Sequence, residues 1–114
     1  MNGCVSSLST HVLDAVRGAP AEGLQVQLYR AGATGWESLS DYRTDVDGRV
    51  ETLAPAGVEA GDYRLVFATG SYFDRSQSAS FYPEVVVTFT VDEERHYHVP
   101  LLLSPYAYST YRGS

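Results

Sequence analysis

Residues 84–111, EVVVTFTVDEERHYHVPLLLSPYAYSTY, decide the fold, because they predict three strands in succession. Residues 84–91 and 95–103 are rich in valine, leucine and aromatic residues, which favour a pleated, half-buried surface. Ser104-Pro105 predicts a corner, and residues 106–111 then form the last strand. This part of the chain is therefore predicted to be entirely β.

The same alternation of short apolar runs and turn residues extends upstream. It predicts further strands at residues 5–13, 24–29, 36–44, 49–53 and 62–69. One helix of about two turns is predicted at residues 71–77, with Ser71 as its N-terminal cap. The pattern predicts an all-β chain, an antiparallel β-sandwich of seven to eight strands with one short helix, as a single domain over residues 1–114.

The charge and composition of the chain limit its partners. A formal net charge of −6 argues against nucleic acid and against an anionic membrane. No apolar stretch approaches the roughly 20 residues of a membrane span, and no basic, apolar leader precedes the first strand. The single cysteine, Cys4, excludes an intrachain disulfide. A soluble, cytoplasmic protein is expected.

Three histidines are the candidates for chemistry. His11 lies in the first predicted strand, and His96 and His98 flank Tyr97, so that on a strand they project from one face. Three histidines suffice in number for a catalytic zinc site. Histidine also accepts a proton near neutral pH, since its ordinary pKa is about 6.5. The residues alone indicate a β-sandwich that carries a histidine-containing site.

Four segments resemble the 5-hydroxyisourate hydrolases, the purine-catabolic branch of the transthyretin family: LSTHVLD at 8–14, TDVDGR at 44–49, HYHVPLLLSPY at 96–106 and YRGS at 111–114. The resemblance covers essentially the whole chain. It implies a transthyretin-like sandwich that hydrolyses 5-hydroxyisourate to 2-oxo-4-hydroxy-4-carboxy-5-ureidoimidazoline in urate degradation. It implies no cofactor and no required metal, so zinc ranks below a metal-free mechanism. It also implies a homotetramer, a dimer of dimers with sites in a channel between subunits; the sequence alone indicates no more than an edge-strand dimer.

The resemblance also assigns roles to individual residues. His11 and His98 are the pair that activates water, with the choice of base between them left open. Arg49 stabilises negative charge on the ring, and both His11 and Arg49 contact the substrate. Tyr111 supplies an aromatic wall for the substrate, and Ser114 supplies a hydroxyl and the chain's free carboxylate to the catalytic group.

The hormone carrier of the same family is the rival, as a non-catalytic module that binds a small aromatic ligand. In the carrier, lysine replaces His11, glutamate replaces Arg49 and threonine replaces His98, and the terminal YRGS is missing. This chain has the hydrolase residue at every one of these places. A purely structural β-sandwich would leave these matches as coincidence. The enzyme is therefore the expected function.

Overall fold

The computed structural model describes residues 5–113. In chain order its elements are β1 (Ser7–Asp14), β2 (Ala19–Pro20), β3 (Gln25–Gly32), β4 (Gly35–Arg43), β5 (Arg49–Val50), β6 (Gly61–Phe67), α1 (Thr69–Arg75), β7 (Val85–Val91), β8 (His96–Ser104) and β9 (Ala107–Thr110). Seven of these strands have four or more residues, which confirms the predicted sandwich of seven to eight strands with one short helix. The Ser114 prediction lies outside the described residues.

The strands form two sheets. A five-stranded sheet has the order β2-β1-β8-β9, with β5 also paired to β1, and a four-stranded sheet has the order β4-β3-β6-β7. Strands β3 and β6 have the alternation expected of half-buried strands, and Tyr63, Leu65 and Phe67 on β6 are fully buried. The inward-facing side chains of both sheets belong to one hydrophobic cluster.

One pairing differs from the antiparallel rule. Strands β1 and β8 run parallel, with Ser7 opposite His96, Ser9 opposite His98 and His11 opposite Pro100. A parallel pair requires a long crossover, and here the whole four-stranded sheet lies between the two strands in sequence. This register places the first strand's small polar residues beside the two histidines of β8.

The helix starts earlier than the sequence predicts. It begins at Thr69 and not at Ser71, after Ala68, and no side chain caps it. Contacts of the first turn accompany the shift, because Thr69 is buried and its hydroxyl donates to the Tyr82 carbonyl over 3.2 Å, and the Gly70 N–H donates to the Pro83 carbonyl over 2.9 Å. These tertiary contacts outweigh the preference for a serine cap.

Two further boundaries differ from the prediction. The predicted turn at residues 17–20 contains the two-residue strand β2, and the predicted strand at residues 49–53 is paired only at Arg49–Val50. Within the described residues, no helix is long and apolar enough to cross a membrane.

Candidate active site

A tight turn before β5 places Arg49. The Asp45 side chain accepts hydrogen bonds from the backbone N–H groups of Asp47 and Arg49, each 2.9 Å long, so one carboxylate organises the whole turn. Strand β5 then pairs with β1 so that Arg49 lies directly opposite His11. The pairing brings the predicted cation to the predicted histidine.

Gly48 is required at this turn for two reasons. Its φ is +76°, and a Cβ there would lie 2.5 Å from the carbonyl oxygen of Val12. The Gly48 carbonyl in turn accepts a 2.7 Å hydrogen bond from the Val12 N–H. Only glycine allows this close approach of the turn to β1, and the approach fixes Arg49 relative to His11.

A chain of side-chain contacts links β1 and β8 on the outer face of the five-stranded sheet. Ser7 Oγ lies 2.6 Å from Nδ1 of His96, and Ser9 Oγ lies 2.8 Å from Nε2 of the same ring. Ser9 Oγ also lies 2.8 Å from Nδ1 of His98. One serine hydroxyl therefore bridges both histidines, and both nitrogens of His96 are engaged.

The opposite edge of the His98 ring rests against Gly113. The Gly113 N–H donates a 2.8 Å hydrogen bond to the His98 carbonyl, and the two residues form an isolated bridge that continues the register of β8 with β9. A Cβ on Gly113 would lie 2.7 Å from Cδ2 of His98, and Gly113 does not have a positive φ. The glycine is needed for contact with the ring and not for its own backbone conformation.

These residues line a cleft of about 370 Å³. Its walls are Ser9, Thr10, Arg49, Glu51, His96 and His98. His11 is not among the lining residues, although it lies opposite Arg49 and its charge acts on His98. The structure therefore brings His11, Arg49 and His98 together, with the latter two facing the cleft.

The surroundings of His98 favour the neutral form of its ring. Burial lowers the pKa of His98 below its ordinary value of 6.5, and the neighbouring Arg49, His11 and His96 lower it further. Burial disfavours the charged form, and a neighbouring cation does the same. A neutral imidazole is the form that can accept a proton from water.

Tyr111 lies in a different place from the histidines. It lines an apolar cavity of about 230 Å³ with Val87, Phe89, Tyr97 and Val99. Tyr97 and Val99 alternate along β8 with His96 and His98, so they project from the opposite face of the strand. Within one chain, the structure does not bring Tyr111 to the histidine cleft.

A metal site is the other role that these histidines could have. Within residues 5–113, no group of three or more histidine, cysteine, aspartate or glutamate side chains is arranged to hold a metal ion. His96 presents both ring nitrogens to serine hydroxyls in this arrangement.

Comparison with known proteins identifies the family. The profile of the HIUase/Transthyretin family matches residues 8–113. The chain belongs to this family. The curated 5-hydroxyisourate hydrolase of Salmonella typhimurium is 49% identical over 109 residues, which cover 94% of this chain and 80% of the relative.

Solved structures of both branches of the family resemble the fold equally well. The 5-hydroxyisourate hydrolase of Klebsiella pneumoniae has a TM-score of 0.88 at 41% identity, with 96% of this chain and 99% of that chain covered. Sea bream transthyretin, solved with thyroxine, also has a TM-score of 0.88, at 34% identity and 93% coverage of each chain. The fold does not separate enzyme from carrier; the identities and the side chains of the cleft do.

Sequence reasoning missed Ser9, Thr10 and Glu51 of the cleft. It also missed the contact of His96 with Ser9 and that of Gly113 with the His98 ring. The spacing of Ser7, Ser9 and His11 does predict a common face. The contact of that face with His96 and His98 depends on the parallel pairing of β1 and β8, which local pattern does not encode.

Proposed function

We propose that this chain hydrolyses 5-hydroxyisourate in urate degradation, by adding water at an acyl carbon of the ring. The observation that carries the proposal is the cleft that His98 and Arg49 line together, in which burial and the nearby cation favour the neutral His98 ring. This combination supplies, at one place, a proton acceptor and a hydrogen-bond donor that stabilises negative charge.

His98 and His11 are the proposed water-activating pair. His98 lines the cleft, and Ser9 and Gly113 hold the two edges of its ring, so that the Cε1–Nε2 part remains to face the substrate. No hydrogen bond to Nε2 is present among the described residues. His11 supports the pair from β1, opposite Arg49.

Arg49 is the proposed electrostatic partner. Its planar guanidinium can donate two hydrogen bonds to neighbouring oxygens of a ring that carries several carbonyl groups. As water adds, negative charge develops on the acyl oxygen, and a fixed cation stabilises that charge more than it stabilises the ground state. Ser114 keeps its proposed role as a hydrogen-bonding partner of the catalytic residues.

The carrier alternative is not favoured. The curated relatives at 44–49% identity are named 5-hydroxyisourate hydrolase, whereas the sea bream carrier is 34% identical. A cleft with two histidines and an arginine also suits water activation better than the binding of an apolar ligand.

We propose a homotetramer, a dimer of dimers, as the working assembly. The outer face of the five-stranded sheet carries the open cleft, and Leu102, which is exposed, alternates with buried residues and lies on the same face of β8 as His98. Tyr111 is 59% exposed, so its assignment to the substrate, which stays a prediction, can be met by the cleft of a neighbouring copy. Light scattering on the purified protein measures the mass of the assembly; a monomer would contradict this proposal.

Two expectations from the sequence also remain proposals. The single core cluster supports one domain over residues 1–114, and limited proteolysis that yields two stable fragments would contradict it. A cytoplasmic location suits an unpaired cysteine, and fractionation of expressing cells tests it.

The experiment that tests the function compares this chain with a triple variant that carries the carrier's residues, H11K/R49E/H98T. We expect wild-type protein to accelerate the loss of ultraviolet absorbance of freshly generated 5-hydroxyisourate, and the folded triple variant to leave the spontaneous rate unchanged. Equal rates for both proteins would remove these positions from the reaction, and no acceleration by wild type would contradict the enzyme.

A further inference from the structure

The hydrogen-bond chain Ser7–His96–Ser9–His98 has only two consistent proton orders. Each neutral imidazole carries one N–H and one acceptor nitrogen, and the Ser9 hydroxyl donates a single proton. Ser9 Oγ lies 2.8 Å from both Nε2 of His96 and Nδ1 of His98, and its buried proton has no other acceptor among the described residues. In the orders that use this proton, Ser9 therefore donates to one ring and accepts from the other. The tautomer of His98 is therefore tied to that of His96.

In the first order, His98 carries its proton on Nδ1 and donates it to Ser9. Ser9 then donates to Nε2 of His96, and Nδ1–H of His96 donates to Ser7, whose oxygen lies 2.6 Å away. This order leaves a lone pair on Nε2 of His98. In the reverse order, Nε2 carries the proton and cannot act as a base.

The charges around His98 select the first order. The unprotonated nitrogen is the negative end of the imidazole dipole, and Arg49 places a permanent positive charge in the cleft. Glu51 lines the same cleft, and His11 and His96 are the other titratable groups that act on the ring. The positive charge of Arg49 favours a lone pair on Nε2 over an N–H at that atom.

We propose that Ser9 and His96 are positioning residues that fix His98 as the Nδ1–H tautomer, so that its Nε2 faces the cleft as the base. Ser9 is buried between the strands at 7% exposure, which limits the access of water to its hydroxyl. His96 is exposed and takes the Ser9 proton. This inference rests on the proposed hydrolysis and identifies His98, and not His11, as the base.

The test combines a spectroscopic readout with kinetics on the intact protein. Long-range ¹H–¹⁵N correlation spectra of the resting protein report the His98 tautomer without substrate. We expect Nδ1–H in wild type and in Ser9→Thr, which keeps the hydroxyl, and a mixture of tautomers in Ser9→Ala. A wild-type His98 protonated on Nε2, or a Ser9→Ala tautomer identical to wild type, would overturn the proposal.

The kinetic arm separates positioning from folding. Ser9→Ala and His96→Gln should lower kcat about 10- to 100-fold, the effect that loss of a histidine's outer partner has at metal sites, with KM little changed. Ser9→Thr should recover most of the rate, and Ser38→Ala, at an exposed serine on β4 of the other sheet, should match wild type. Unchanged kcat in folded Ser9→Ala would contradict the inference.

The two arms keep this inference distinct from the proposed function. Suppose that wild type is inactive, that its His98 is the Nδ1–H tautomer, and that Ser9→Ala loses this preference. This result would support the proton order and reject the hydrolase. An active wild type with no effect of Ser9→Ala on tautomer or rate would support the hydrolase and reject the role of Ser9 and His96.

Discussion

Strand β8 separates two surfaces that differ in chemistry. On its outer face, His96 and His98 line a polar cleft with Arg49 and Glu51; on its inner face, Tyr97 and Val99 line an apolar cavity. The two faces alternate residue by residue along the same backbone. The polar face carries the groups that we propose to activate water, and the apolar face belongs to the core between the sheets. Substitutions on the two faces should therefore affect different properties.

The largest expected effect comes from His98→Asn. Removing the proton acceptor should reduce turnover about 10²- to 10⁴-fold, the usual contribution of general base catalysis, while the fold remains intact. Absorbance decay of 5-hydroxyisourate and a thermal unfolding curve measure both properties.

The matched control on the opposite face is Tyr97→Phe. It removes the hydroxyl that bonds to Asp92 and to the backbone of Glu93. It should lower the melting temperature and leave kcat near wild type. If Tyr97→Phe lost as much turnover as His98→Asn at equal folded fraction, the separation of the two faces would be wrong.

Arg49→Ala should have the next largest effect. Loss of one donor to a developing oxyanion costs about 2.7 to 4 kcal/mol, or roughly 10²- to 10³-fold in kcat. Arg43→Ala, an exposed arginine at the end of β4 that bonds only to the Gly23 carbonyl, is the control and should retain activity. A change in KM alone would show that Arg49 binds substrate without acting in the transition state.

Gly113→Ala tests the contact at the edge of the His98 ring. Because the new methyl group would meet Cδ2 of His98 at 2.7 Å, the ring must move. We expect roughly a tenfold loss of kcat, since small misplacements of a catalytic group are costly.

Gly18→Ala is the control for this substitution. Gly18 has φ +64° and no atom within 4 Å of its added Cβ, so the change should cost roughly 1–2 kcal/mol of unfolding free energy and no activity. Equal kcat for Gly113→Ala and wild type would show that the contact does not position His98.

The smallest expected effect is a shift in pH dependence. Burial, Arg49, His11 and His96 lower the pKa of His98 from 6.5, so activity should persist below pH 6.5 and fall only as pH drops through the lowered pKa. Removing the Arg49 charge should raise that pKa, and the acid limb of the residual kcat/KM profile of Arg49→Ala should move to higher pH. If the acid limb of the Arg49→Ala profile lay at the same pH as that of wild type, the titration of another group would control it.

Local pattern predicted much of the fold and part of the site. Alternation identified the buried face of β6 at Tyr63, Leu65 and Phe67, and the spacing of His96 and His98 predicted their common face. The parallel pairing that sets Ser9 between the histidines is a contact between strands 89 residues apart, which short-range periodicity does not encode. The early start of the helix likewise involves contacts of Thr69 and Gly70 with residues 82–83, distant in sequence.

The most direct test of the account measures the ultraviolet absorbance of freshly generated 5-hydroxyisourate with no protein, with wild type, with His98→Asn and with Tyr97→Phe. We expect rapid decay of the absorbance with wild type and Tyr97→Phe, and decay near the spontaneous rate with His98→Asn. Decay at the spontaneous rate with wild type, or at the wild-type rate with His98→Asn, would contradict the assignment of hydrolysis to the histidine cleft.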